Sequence, residues 1–155
     1  MGMDVYGKKP TDPKGEYFRA NVWYWRPLWI YIDTIKPDLT SKVQNPHTND
    51  GDGLNAKDSR LLAQLLQKEI ESGNTEKYIK EYMEYLDSIP LEECEYCDKT
   101  GYRTWNENGL EVQKVCNSCN GKLQVKSFQT YYPMDFDLVK EFQQFLNYCG
   151  GFQIF

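Results

Sequence analysis

The chain has 155 residues, 40% hydrophobic and 26% charged, which suits one globular domain with a modest core and excludes a disordered chain. Its net charge of −5 argues against broad electrostatic binding to a nucleic-acid backbone, which needs a basic face. No apolar run approaches the roughly 20 residues of a membrane helix, and MGMDVYGKKP lacks the apolar core of a signal peptide. The expectation is therefore a cytoplasmic protein with no membrane partner. Met1-Gly2 resembles the start of a myristoylation motif, but Tyr6 stands where that motif takes Ser or Thr.

Residues 1–16 carry Gly2, Gly7, Pro10, Pro13 and Gly15 and read as irregular chain packed on the body. Pro27 suits a helix's first turn, so a short helix is predicted over 27–35, with Leu28, Ile32 and Ile35 on one face. Just before it, Phe18, Val22 and Trp25 fit helical spacing, while Val22, Tyr24 and Arg26 alternate as in a strand. Residues 36–54 read as a long polar loop. A helix over 56–72 follows, capped by Asn55, striped by Leu61, Leu62, Leu65, Leu66 and Ile70, and stopped by Gly73. A second helix over 75–88 carries Tyr78, Ile79, Tyr82, Met83 and Leu86, and the short Gly73-Asn74 link predicts a helical hairpin. The last helix is predicted over 135–148, with Val139, Phe142, Phe145 and Leu146 inward, and FQIF as a strand or core plug.

Residues 91–126 hold the clearest motif. Cys94-Glu95-Tyr96-Cys97 and Cys116-Asn117-Ser118-Cys119 are two C-x-x-C pairs at the spacing of a structural zinc site. Each pair points two sulfurs at one ion, and YRTW and EVQKV around NENG form the hairpin that brings the turns together. Four thiolates satisfy one tetrahedral Zn²⁺ and leave no open position. Disulfides or free thiols are the alternative, and a reducing compartment disfavours the disulfides. Cys149 is left over and reads as a small buried apolar residue. The fold class expected is α+β: a single domain over 1–155, a small helical body with a four-cysteine, β-hairpin zinc-ribbon-like module at 91–126.

Two other stretches raise questions of chemistry. NPHTNDGDGL contains the one histidine of the chain, His47, near Asp50 and Asp52. His47 as a general base oriented by Asp50 or Asp52 would make a hydrolase-type site. An EF-hand-like calcium register runs through Thr48, Asp50, Asp52 and Gly53, but Ser59 stands where the closing acid belongs. The plain alternative is a structured turn in which Asx side chains bond the backbone and Asp52 or Asn55 caps the helix. In GEYFRANVWYWRPLW, Arg19, Trp23, Trp25, Arg26 and Trp29 form a candidate surface for a partner protein or for a nucleotide held between indole and guanidinium. The alternative there is an aromatic core, with Arg19 paired to Glu16 on a helix. FQTYYPMDF reads mainly as chain entering the last helix.

The turns CEYCDKTG and CNSCNGKL resemble the cysteine-rich domain of J-protein chaperones, which repeats C-x-x-C-x-G-x-G. Gly101 and Gly121 match that pattern, while Lys99 and Leu123 depart from it. The likeness implies a zinc-bound turn geometry and no chaperone role, since the His-Pro-Asp motif of a J domain is missing. Over its whole length the chain resembles a family of small bacteriophage and bacterial proteins. That likeness rests on MGMDVYGKKPTDPKGEYFRANVWYWRPLW, NDGDGL, the paired C-x-x-C turns and FLNYCGGFQIF. It implies a phage or mobile-element accessory protein, of a kind that acts by binding host factors or by sequestering small molecules, and it implies no particular reaction.

Overall fold

Met3 and Val5 are buried while Asp4 and Tyr6 are not, and this period of two makes Gly2–Gly7 a strand (β1). The structure, a computed structural model, describes residues 2–155. A one-turn helix at Pro13–Gly15 returns the chain to a second strand, Tyr17–Asn21 (β2), which buries Phe18 and Ala20. Gly2–Gly7, within the stretch expected to be irregular, is thus a strand paired antiparallel with β2, with Asp4 opposite Arg19. The C-terminal strand Phe152–Ile154 joins β1 on its other side, completing a three-stranded sheet in the order β2-β1-C-terminal strand.

The first helix, Val22–Ile35 (α1), starts a turn and a half earlier than Pro27 predicts. Pro27 has no N–H to give to the carbonyl four residues back, at a cost to the helix. Two features outweigh that cost. The Asn21 side chain caps the helix by accepting from the Trp23 N–H at 3.0 Å. Trp25, Leu28, Trp29 and Ile32 all go into the core. The polar loop contains a single helical turn, Pro37–Thr40 (α2). Ala56–Glu71 (α3) is capped by Asn55 and buries Leu62, Ala63 and Leu66, leaving Leu61 exposed. Asn74–Ser88 (α4) follows, but α3 packs chiefly on Phe136–Tyr148 (α5) rather than forming a hairpin with α4. Helix α5 buries Val139, Phe142, Phe145 and Leu146 as its sequence predicts.

The architecture is α+β, and the chain has two compact units, 2–84 with 132–155, and 85–131, the second containing the cysteine module read at 91–126. The first has a continuous core in which the inner face of the sheet meets α1, α3 and α5. The second has hardly any apolar core. Its buried cluster consists of the four cysteines with Val125 packed against them. It contains two antiparallel pairs: Glu92–Glu93 (β3) with Gln124–Val125 (β6), and Tyr102–Glu107 (β4) with Leu110–Val115 (β5). Asn108 and Gly109 close the second pair with φ of 54° and 84°, the double positive φ of a type I′ hairpin turn. The C-terminal strand is β7.

Candidate metal centre

The two C-x-x-C turns are copies of one another, displaced by 22 residues. In the first, the Thr100 N–H donates to the Cys97 carbonyl at 2.8 Å; in the second, Lys122 donates to Cys119 at 2.9 Å. The turns then grip each other reciprocally: Cys94 N–H donates to Leu123 O and Cys116 N–H to Gly101 O, both at 2.8 Å. The strands obey the same symmetry. The strand entering one turn pairs with the strand leaving the other, β3 with β6 and β5 with β4. Even the strained positions correspond. Asp98, Lys99 and Gly101 have φ of 46°, 61° and 78°, and Asn120, Gly121 and Leu123 have 49°, 75° and 67°. The repeat thus extends well beyond the cysteines. It hides in the sequence because glycine stands in only one copy at two of the three matching positions and in neither copy at the third.

This symmetry brings four sulfurs to one point. All four cysteines are buried, and their Sγ atoms lie within 4.8 Å of one another. Cys94 Sγ is 3.8 Å from Cys116 Sγ, and Cys97 Sγ is 3.8 Å from Cys119 Sγ. These separations are well beyond a disulfide bond of about 2.05 Å, and no disulfide joins the cysteines among the described residues. The site is therefore a set of four soft donors close enough to hold a metal ion. Burial pushes the Cys94 thiol up to about 12. At Cys116 burial acts in the same direction, but hydrogen bonds from the Cys119 and Ser118 N–H groups outweigh it and bring the thiol down to about 6.

The histidine loop is built differently from a catalytic or calcium site. The Asp52 carboxylate accepts from the N–H groups of Gln44 at 2.6 Å, Asn45 at 2.9 Å and Gly53 at 2.7 Å, so it clamps the backbone. The stretch after Asp50 also borders β7. Gly51 N–H donates to Ile154 O, Ile154 N–H to Asp52 O, and Phe152 N–H to Leu54 O, at 2.7, 2.8 and 3.0 Å. Gly53 is required because a Cβ there would stand 2.0 Å from the Phe152 carbonyl oxygen. Among the described residues no hydrogen bond joins His47 to Asp50 or Asp52, and no three acidic or histidine ligands of this loop cluster as a metal site. Partial burial, and then the charge of Arg26, hold the His47 ring below its ordinary value. Asn55, not Asp52, caps α3, accepting from the Asp58 N–H at 2.9 Å.

The structure also separates the five candidate residues of the aromatic segment. Trp25 and Trp29 are core residues, 0% and 5% exposed, and the Trp25 indole N–H donates to Pro46 O at 2.7 Å. Helical geometry turns them inward with Leu28 and Ile32, so they cannot sandwich a base. Arg19 lies on β2 and pairs with Asp4 across the sheet at 3.5 Å, not with Glu16. Trp23 and Arg26 remain at the surface, both against Tyr132: the Trp23 ring at 4.9 Å and the Arg26 guanidinium at 5.7 Å from its centroid. Cys149 is fully buried, as expected. No helix of the described residues is long and apolar enough to cross a membrane. Comparison with known proteins gives no match: no family profile, curated protein or solved structure is similar to this chain.

Proposed function

We propose that Cys94, Cys97, Cys116 and Cys119 hold one zinc ion, and that the protein is a zinc-stabilised binding module. On this reading it is a phage or mobile-element accessory protein that docks on a host protein in the cytoplasm. The observation that carries the proposal is the closed tetrad of buried sulfurs. A zinc–sulfur bond of about 2.3 Å implies tetrahedral S···S edges of about 3.8 Å, in keeping with the 3.8 Å separations between the turns. An ion bound by four thiolates has no position left for water or substrate, so it contributes structure and no catalytic step. The acid-rich loop supports the same reading, because Asp52 is committed to backbone N–H groups and His47 has no carboxylate partner among the described residues. The phage assignment rests on the sequence resemblance alone.

Native mass spectrometry of protein purified without added metal tests the metal. One zinc per chain is expected, lost in Cys97→Ser together with hydrogen-exchange protection across 85–131. Iron in place of zinc, or an unchanged Cys97→Ser variant, would overturn the assignment. The docking role is tested by cross-linking the full chain inside a bacterial host. One discrete host protein attached to wild type is expected. Recovery of the chain alone, or with a small molecule bound, counts against it.

A further inference from the structure

The 85–131 unit has a groove of about 890 Å³ lined by aromatic side chains and carboxylates, with Cys94 of the cysteine centre in its wall. We infer that this groove is the docking site for a basic, extended peptide segment of the partner, an inference that rests on the binding-protein reading above. The apolar part consists of Tyr96, Phe128 and Tyr131, which are 65%, 59% and 54% exposed. Three large rings this exposed at one place, in a unit with so little apolar core, are a mark of an interaction site.

The charge around these rings specifies the occupant. Glu92, Glu93, Glu95 and Asp98 line the groove against Lys99 and Lys126. Lys99 is spent on Glu93, to which it bridges at 2.6 Å. Among the described residues no salt bridge engages Glu92, Glu95, Asp98 or Lys126, which leaves three carboxylates against one lysine beside the aromatic rings. Cys94 belongs to the groove wall, and four thiolates around a divalent ion carry net negative charge, which deepens the same potential. A lysine or arginine side chain suits both parts, with its aliphatic stem on the rings and its charge at the carboxylates. The module already contains the cation-on-ring part of that contact. The Arg103 guanidinium lies 5.7 Å from the Tyr96 ring centroid and 5.1 Å from that of Trp105.

The backbone favours an extended ligand. The two strands β3 and β6 pair only with each other among the described residues, so each has an outer edge without a strand neighbour. Glu92, Glu93 and Val125 of these strands all line the groove. A peptide added along such an edge gains main-chain hydrogen bonds and sends alternate side chains toward the rings.

The test uses the full metal-loaded chain and fluorescein-labelled nonapeptides, read by fluorescence anisotropy. One peptide alternates Lys or Arg with Leu, a second has Glu in place of the basic residues, and a third has Ser there. The basic peptide is expected to bind, at least tenfold more tightly than the other two, and to weaken several-fold as salt rises from about 0.05 to 0.5 M. The triple change E92Q/E95Q/D98N and the double change Tyr96→Ala with Phe128→Ala should each weaken it at least tenfold. Metal content and unfolding midpoint, measured on the same samples, distinguish lost contacts from a lost fold. Equal binding of all three peptides, or binding untouched by both variants, overturns the inference. So does full competition by spermine with no effect of the aromatic changes, since that describes a bare cation site. If no peptide binds while the cross-linked host protein persists in the triple variant, the groove is excluded and the binding-protein reading stands. If neither occurs, both fail.

Discussion

The Asp52 carboxylate accepts from three backbone N–H groups, on Gln44, Asn45 and Gly53, and those bonds hold it below its ordinary carboxylate value. A group whose folded pKa is depressed contributes stability that is complete above the unfolded value, 3.8 here, and lost as pH falls through the folded one. Asp58 has the same sign, set first by its hydrogen bond from Lys42 at 2.7 Å. Acid unfolding of the first unit should therefore steepen only below 3.8, and Asp52→Ala should flatten that limb. At neutral pH Asp52→Ala should cost about 0.5–1.5 kcal/mol in denaturant unfolding, because it removes hydrogen bonds to three N–H groups, two of them at the surface. His47→Ala should change stability by less than about 0.5 kcal/mol. The reverse ranking would mean the loop is held by its histidine. An Asp and a His a few residues apart look alike in sequence whether they face each other or the backbone. That choice depends on β7, which lies at the far end of the chain.

Periodicity was readable where an element is long and locally patterned. The inward faces of α3 and α5 follow from their leucine and phenylalanine spacing, and the hairpin from the NENG turn between two alternating runs. The sheet was not readable, since β1 has only Met3 and Val5 as buried side chains and owes its existence to β2 and to the distant β7. The twofold symmetry of the knuckles was half readable. Its cysteines repeat visibly, but left-handed backbone at Lys99 and Leu123 carries side chains where the matching Gly121 and Gly101 carry none. A side chain in that region costs about 1–2 kcal/mol, partly offset by the extra freedom glycine brings to the unfolded chain, about 0.4–1 kcal/mol. Changes at the matching pair should thus have opposite signs. Gly121→Ala should destabilise the metal-loaded module by about 1 kcal/mol. Lys99→Gly should stabilise it by a few tenths to about 1 kcal/mol, net of the exposed ion pair with Glu93. Hydrogen exchange of the Cys94 and Cys116 amides, which bridge the two turns, reads both effects. Equal signs would break the correspondence between the copies.

At the scale of the molecule, the two units draw their stability from different sources. The first buries Trp25, Phe142, Phe145 and Phe152 with the aliphatic residues of α1, α3 and the sheet, a core that needs no ion. The second buries four cysteines and little else, and four thiols pressed together supply neither much hydrophobic burial nor a satisfied polar network. With a structural metal such a tetrad gains on the order of 10–16 kcal/mol of binding free energy, which becomes folding free energy. Removing the metal with a strong chelator should therefore unfold 85–131 and leave 2–84 and 132–155 folded. Hydrogen exchange is the direct measurement. Amides of β4, β5 and both knuckles should lose protection at once, while those of α3, α5 and β1 keep it. Denaturant unfolding should show two transitions for the loaded protein, and the one belonging to the module should vanish on chelation. A single transition that shifts as a whole would mean that the two units unfold together and that the ion stabilises the entire chain. Retained protection in the knuckles after chelation would mean that the symmetric backbone bonds, Cys94 to Leu123 and Cys116 to Gly101, hold the module without an ion. The near absence of apolar side chains around the sulfurs argues against that result.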